Sequence, residues 1–258
     1  MIAIDTECTG KDLHHSSRPF FVTTANPDGS QLYWEWRVNP ETREVDVPDE
    51  DIAEIDELLT SADEIVGQNI KFDATALNTL PHVNSFPWEK THDTLLAAHL
   101  LASNRPKDLT TLAMIYLGRN ITPLEDALEK VVQECRRYCR QNMPRWKISK
   151  DGLDGMPSAK RANSSKDKDT KLWKSDTWLP MCVADHLDYP EDHPYRTVLR
   201  DYANEDSAVT FAVWIVMREE LHRRGLWEIY EERRKVLPIT FEMEKRGVTL
   251  NAKRLDEL

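Results

Sequence analysis

Hydrophobic and polar positions alternate as in strands near the start of the chain. Residues 1–5 form a short apolar run that predicts a strand ending at acidic residues. Residues 18–26 and 31–38 are rich in aromatic and β-branched residues. The turn 26–29 (Asn-Pro-Asp-Gly) between them predicts a hairpin, because proline presets φ and glycine tolerates positive φ. Residues 64–67 predict a further short buried strand.

Helical periodicity fills most of the remaining chain. It predicts helices over residues 49–59, 72–80, 95–101, 109–117, 123–138, 194–224 and 226–246. Gly225 and Gly247 are expected to end the last two helices. Asp93 is expected to cap the helix that starts at Thr94. Strands first, with helices between and after them, predict an α/β or α+β layer fold.

Composition and charge narrow the class of protein. The chain has 258 residues, of which 40% are hydrophobic and 31% charged. It has no run of 18 apolar residues, so we expect no membrane span, and its start lacks the layout of a signal peptide. Four cysteines without a C-x-x-C pair are typical of reduced thiols in a cytosolic protein. The net charge of −11 argues against a general nucleic-acid coat but leaves room for a local basic track.

A basic insertion interrupts the helical pattern over residues 144–179. Nine Lys or Arg and five Asp lie between Arg145 and Asp176, together with Gly, Ser and several tryptophans. We predict a long loop carrying Trp146, Trp173 and Trp178. Two interpretations stay open: the loop covers a nucleic-acid strand by phosphate contacts and stacking, or it is a solvated insertion. On the preceding helix, a solvated face is predicted for Arg136, Arg137 and Arg140.

Four acidic residues in three separated segments carry the candidate chemistry. Asp5 and Glu7 form a D-x-E motif, Asp73 ends N-x-x-x-D, and Tyr202 and Asp206 form Y-x-x-x-D. Alternation along a strand puts the first pair on one face, about 7 Å apart. The tyrosine and the last aspartate share a helix face at i and i+4.

Such a set of carboxylates predicts a metal site. Clustered acids repel one another unless a divalent cation neutralises them, and oxygen ligands suit Mg²⁺ or Mn²⁺. Phosphodiester hydrolysis needs an activated water, charge neutralisation and a stabilised leaving oxygen. Two cations about 4 Å apart can supply all three.

The three motifs resemble those of the DEDD (DnaQ-like) exonuclease superfamily, in its tyrosine branch. The segments DTECTG, RPFFVTTANPDG, GQNIKFDATAL, HDTLLAAHLL and DYANEDSAVT are similar to the proofreading domain of family A DNA polymerases, particularly of the bacteriophage type. The resemblance implies a ribonuclease-H-like α/β fold, a mixed sheet flanked by helices, over residues 1–225. Residues 226–258 are similar to the helical start of the polymerase domain, here truncated.

The resemblance also implies roles for the acidic residues. Asp5, Glu7 and Asp206 would ligate the tighter of two divalent cations, Mg²⁺ or Mn²⁺. Asp5 would bridge to the second cation, which Asp73 would hold through water. Tyr202 would orient the attacking water, since a phenol is too weak an acid to act as a free base at neutral pH.

Two further residues are predicted to bind substrate, Asn69 and Thr6. Cellular members of the family place a leucine a few residues after D-x-E to wedge the terminal base. This chain has Lys11 at that point and Leu13 two residues on.

The implied function is metal-dependent removal of nucleotides from the 3′ end of single-stranded or frayed DNA, releasing 5′-monophosphates. The implied partner is a polymerase domain of the same chain, for which this domain would proofread. We expect a monomer in the cytoplasm, that of a bacterial host if the chain is phage-encoded, without membrane association. The alternatives are a stand-alone 3′→5′ exoribonuclease of the same superfamily and an inactive single-strand-binding scaffold.

Overall fold

The computed structural model describes residues 1–81, 86–148 and 172–248. Its sheet has the strand order β3-β2-β1-β4-β5. β1 pairs antiparallel with β2 and parallel with β4; β2–β3 is antiparallel and β4–β5 parallel. The strands are β1 Ile2–Cys8, β2 Pro19–Ala25, β3 Gln31–Glu35, β4 Ile65–Gly67 and β5 Thr91–Asp93. The predicted mixed-sheet α/β fold is confirmed.

Helices cover both faces of this sheet. Within the described residues they are α1 Asp49–Ser61, α2 Lys71–Leu77, α3 Thr94–Leu101, α4 Leu109–Leu117, α5 Thr122–Asn142, α6 Leu179–His186, α7 Pro194–Arg223, α8 Trp227–Arg234 and α9 Val236–Arg246. Two 3₁₀ helices span Trp88–Lys90 and Leu172–Ser175. No helix in these described ranges is both long and apolar enough to cross a bilayer.

The alternation of β1 decides which residues meet which helices. Ile2 and Ile4 pack in the cluster that also contains α1 and α2 residues. Ala3 packs on the opposite face, in the cluster with the middle of α7. Because side chains alternate along a strand, Asp5 and Glu7 follow Ala3 toward α7, and Thr6 follows Ile4 toward α2. The end of β1 therefore presents polar groups to both layers.

The C-terminal helices pack on the same core. Tyr230 of α8 is fully buried, and Leu237 and Phe241 of α9 join the cluster with α1. The single helix predicted over residues 226–246 is wrong, since the structure divides it at Lys235. Pro238 explains the break: it lies in the first turn of α9, where its missing N–H is not needed, and it would cost a hydrogen bond inside one continuous helix.

The structure also corrects one open interpretation of the basic insertion and one prediction for the helix before it. Trp178 is completely buried, so it cannot stack on a bound strand. Arg136 is 3% exposed and pairs with Asp176, so it does not belong to a solvated face; Arg137 and Arg140 are exposed as predicted. The end of the predicted loop is folded as the second 3₁₀ helix and α6, and residues 149–171 lie outside the described residues.

β5 had no sequence prediction. Its three residues, Thr91–Asp93, are too few to show alternation. This segment is a strand because it pairs with β4 at the edge of the sheet. Asp93 ends this strand and also caps α3 as predicted, since its side chain accepts a 2.8 Å hydrogen bond from Leu95 N.

Candidate active site

β1 and α7 bring the first and third acidic motifs together. Thr23 on β2 lies opposite Asp5 in the strand register. Its hydroxyl donates to Asn204 Oδ1 at 2.9 Å and lies 3.3 Å from the Ser207 hydroxyl. These contacts fix the turn of α7 that carries Asp206 over the end of β1.

The second motif joins from the opposite layer. Thr6 donates two hydrogen bonds to Asp73 Oδ1, from its backbone N–H at 3.0 Å and its hydroxyl at 2.8 Å. Asp73 is 3% exposed and Thr6 is 6% exposed. Thr6 thus holds Asp73 in place, and its predicted substrate contact stays a prediction.

We call Asp5, Glu7, Asp73 and Asp206 the carboxylate set. Burial and then the charge of Glu7 raise the pKa of Asp5 to about 7. Burial and then Asp206 raise the pKa of Glu7 to about 7. Burial and then Asp5 raise the pKa of Asp206 to about 8 and that of Asp73 well above its usual range. The pKa of each member is therefore raised by the charge of another, as expected if the three motifs converge.

Tyr202 shares the face of α7 with Asp206 and hydrogen-bonds to it. Burial, followed by the charge of Asp206, raises the pKa of the phenol well above its usual range. Tyr202 is therefore a neutral hydrogen-bonding group at physiological pH. It can orient a water but cannot accept a proton as a phenolate.

The donor chemistry of the carboxylate set fits a hard divalent cation. Across the described ranges, no group of three or more His, Cys, Asp or Glu side chains is arranged as a ready metal-binding set. The four acids nevertheless supply only oxygen ligands, and their pKa values are raised by burial and then by their mutual repulsion. A cation of the Mg²⁺ or Mn²⁺ class would relieve that repulsion.

Asn69 lies one turn before Asp73 and has a left-handed backbone, with φ of 60°. This conformation is commoner for Asn than for most side chains. It is held by a 3.0 Å hydrogen bond from Asn69 N to Asp93 Oδ1. Asn69 borders a groove of about 280 Å³ whose other lining residues are Lys11, Leu13, His14, Lys71, Phe72, Thr75 and Glu244.

Three residues join the site without any motif in the sequence. Thr177 donates a 3.1 Å hydrogen bond to Glu7 Oε2. Lys174 forms a 2.8 Å ion pair with Glu125 and lies 6.0 Å from the centre of the Tyr202 ring. Only their position in the fold reveals them, because they come from α5 and from the turn before α6.

Comparisons with known sequences agree with this geometry. The 3′-5′ exonuclease family model of the DNA polymerase A type matches residues 1–143. DNA polymerase DpoZ of Salmonella phage PMBT28 is 24% identical over 257 residues, which are 97% of this chain and 31% of that polymerase. DNA polymerase I of Rhizobium leguminosarum is 40% identical over 58 residues, covering 22% of this chain and 6% of the polymerase. The chain thus spans less than a third of these relatives' length.

Solved structures share the fold. The apo form of a nuclease has a TM-score of 0.56 and 17% identity, covering 95% of this chain and 84% of that one. Brucella melitensis NrnC with bound Mg²⁺ has a TM-score of 0.52 and 16% identity, covering 95% and 85%. These likenesses describe architecture. Since the family model covers more than half of the sequence, the chain belongs to the 3′-5′ exonuclease family of the DNA polymerase A type.

Proposed function

We propose that this protein is a metal-dependent 3′→5′ exonuclease that removes nucleotides from single-stranded or frayed DNA, as the proofreading part of a DNA polymerase. The observation that carries the proposal is the convergence of four acids from β1, α2 and α7, each with a raised pKa. Perturbed carboxyls grouped in this way are typical of functional sites.

Asp5, Glu7 and Asp206 would hold one divalent cation, and Asp5 with Asp73 a second. When bound, such cations activate water, neutralise the phosphoryl group and stabilise the leaving 3′-oxygen. The chain's own residues do the positioning. Tyr202, neutral and hydrogen-bonded to Asp206, orients the water that attacks phosphorus.

Substrate placement falls to the surface beside Asp73. Asn69 stands at the edge of the groove whose cationic lining residues are Lys11 and Lys71. A groove of this kind can follow a phosphate backbone without reading its bases. Low sequence preference follows, as removal of any mispaired nucleotide requires.

DNA is the proposed substrate because the family match and the phage and Rhizobium relatives belong to DNA polymerases. The polymerase domain of the same chain is the proposed partner, since the match covers only 31% of DpoZ, which is a DNA polymerase. The predicted boundary between residues 225 and 226 stays a prediction. Helices α8 and α9 pack on the nuclease core, so they belong to it structurally wherever the polymerase domain begins.

The test is digestion of one single-stranded DNA oligonucleotide carrying a 5′ label or a 3′ label, with Mg²⁺ or with EDTA. We expect a ladder from the 5′-labelled strand, immediate release of mononucleotide from the 3′-labelled strand, and no products with EDTA. A matched RNA oligonucleotide is included. Faster digestion of RNA would replace the DNA proposal with the exoribonuclease alternative, and binding without cleavage would support the scaffold.

A further inference from the structure

The carboxylate set has a positive charge built into its surroundings. The ammonium of Lys174 lies 6.0 Å from the centre of the Tyr202 ring, and Tyr202 hydrogen-bonds to Asp206 of the carboxylate set. From this position its charge lowers the pKa of Asp5, Glu7 and Asp206 against the effect of burial. Its 2.8 Å ion pair with Glu125 adds a fifth carboxylate to the same neighbourhood. Three of the acids that are expected to bind a divalent cation therefore already lie near the positive charge of a lysine.

The position of Lys174 is fixed by the residues that follow it. Asp176 has no exposed surface and pairs with Arg136 at 3.2 Å and with Arg43 at 3.4 Å. Trp178 also has no exposed surface, and the Arg43 guanidinium carbon lies 5.6 Å from the centre of its ring. Segment 174–178 is thus anchored in the core on one side and meets the carboxylate set on the other.

Thr177 supplies the second contact from this segment. Its hydroxyl donates to Glu7 Oε2, and it is 2% exposed. With Lys174 on one side of the buried Asp176 and Thr177 on the other, the segment presents a positive charge and a hydrogen-bond donor to the same acids. Both features stabilise ionised carboxylates.

We infer that Lys174 is the resident counter-cation of the carboxylate set: it holds Asp5, Glu7 and Asp206 together in the metal-free protein and competes with divalent cations for them. Only the second part of this inference, the competition with divalent cations, rests on the proposed function. Its physical basis is that three neighbouring carboxylates repel one another, and an ammonium reduces that repulsion without completing a coordination shell.

Two consequences follow from the sign of the charge. Removing it leaves the acids uncompensated when no metal is present, so the metal-free protein loses stability. The same removal abolishes repulsion between the ammonium and an incoming cation. For a single and a double charge about 6 Å apart in a water-like dielectric, that repulsion corresponds to roughly a tenfold change in affinity.

The experiment compares Lys174→Met with Lys174→Arg, which keeps the charge, and with Lys130→Met, which removes an exposed lysine from α5. Thermal unfolding is followed in EDTA and in 10 mM Mg²⁺, and Mg²⁺ binding is measured by calorimetry without DNA. We expect Lys174→Met to lower Tm in EDTA by about 3 °C or more, to regain it with Mg²⁺, and to bind Mg²⁺ about tenfold more tightly. The two controls should match the parent.

An equal loss of Tm with and without Mg²⁺, or unchanged or weaker Mg²⁺ binding by Lys174→Met, would overturn the inference and leave Lys174 a packing residue. Lys174→Gln replaces the Met variant if that variant does not fold. If the parent binds no Mg²⁺, the proposed function fails. The role of Lys174 in the metal-free protein is then decided by comparing Lys174→Met with Lys174→Arg in EDTA. Equal Tm values for these two variants would refute that role.

Discussion

Raising the pH should destabilise the protein when metal is absent. Folding raises the pKa of Asp5 from 3.8 to about 7, of Glu7 from 4.5 to about 7, and of Asp206 from 3.8 to about 8. The folded state therefore binds more protons than the unfolded state above pH 4. Stability is fully present below the unfolded pKa values and is lost as the pH rises through the folded ones.

The size of the effect can be worked from these shifts. One extra proton in the folded state costs about 1.4 kcal/mol per pH unit, so Asp206 alone accounts for about 2 kcal/mol between pH 6 and 8. Adding Asp5 and Glu7 brings the loss to about 5 kcal/mol. Domains of this kind are stable by only about 5–15 kcal/mol, so the change is large enough to measure.

Two neighbouring groups also titrate, with smaller effects in this window. Burial lowers the pKa of His92 to about 4, so this imidazole adds stability as the pH rises, by less than about 1 kcal/mol above pH 6. Burial raises the pKa of Asp93 to about 6, so most of its contribution is lost before the window begins. Neither reverses the predicted sign.

The assay is urea unfolding followed by tryptophan fluorescence at pH 6, 7 and 8, in EDTA and in 10 mM Mg²⁺. We expect the free energy of unfolding in EDTA to fall by about 2–5 kcal/mol across the series, and Mg²⁺ to offset the fall by binding the ionised carboxylates. The Asp206→Asn variant has no proton to release at this position. Its fall in unfolding free energy between pH 6 and 8 should therefore be smaller than that of the parent by about 2 kcal/mol. Stability in EDTA that stays constant or rises from pH 6 to 8 would refute the electrostatic account of the site.

The other predictions concern activity. Asp206→Asn should reduce cleavage by about 1,000-fold or more, and it should raise Tm in EDTA because one repelling charge is gone. Asp201→Asn, on the exposed side of α7, should match the parent. Equal activity of the two variants would show that the site is wrongly placed. Thr177→Val should lower kcat/KM by about 10- to 100-fold through the lost hydrogen bond to Glu7, and Thr177→Ser should restore it; a Val variant of parental activity would remove Thr177 from the site. Tyr202→Phe should lower kcat by about 10- to 100-fold with unchanged Mg²⁺ affinity by calorimetry, and loss of Mg²⁺ binding would instead make Tyr202 a support for metal.

Local pattern was sufficient to predict which residues share one face of a strand or helix. The alternation of residues 1–5 places Asp5 on the face of Ala3, and the structure packs that face against α7. The i, i+4 spacing likewise puts Tyr202 beside Asp206. Both inferences depend only on the period of one element, which the residues of that element determine. For the same reason the predicted helix ranges were close to those observed, with two exceptions. Residues 226–246 form two helices, with Pro238 in the first turn of the second, and α6 had no prediction.

Contacts between distant segments were beyond such reasoning. Glu7 and Thr177 are 170 positions apart, and a lone threonine after a basic stretch has no periodic partner to mark it. Residue type misled at Arg136, since an arginine on an amphipathic helix is usually solvated. Its burial requires an anion at the same depth, and Asp176 comes from a region whose composition predicts a loop.

The burial of Arg136 against Asp176 has a consequence for the site. A buried aspartate held by two arginines is costly to desolvate, so its value lies less in stability than in fixing one arrangement of the chain. Here the arrangement it fixes is that of segment 174–178, which carries Lys174 and Thr177 to the carboxylate set. The acidic motifs thus supply the carboxylates of the set. The basic region, predicted from composition to be a long loop, supplies Lys174 and Thr177, which contact this set or its surroundings.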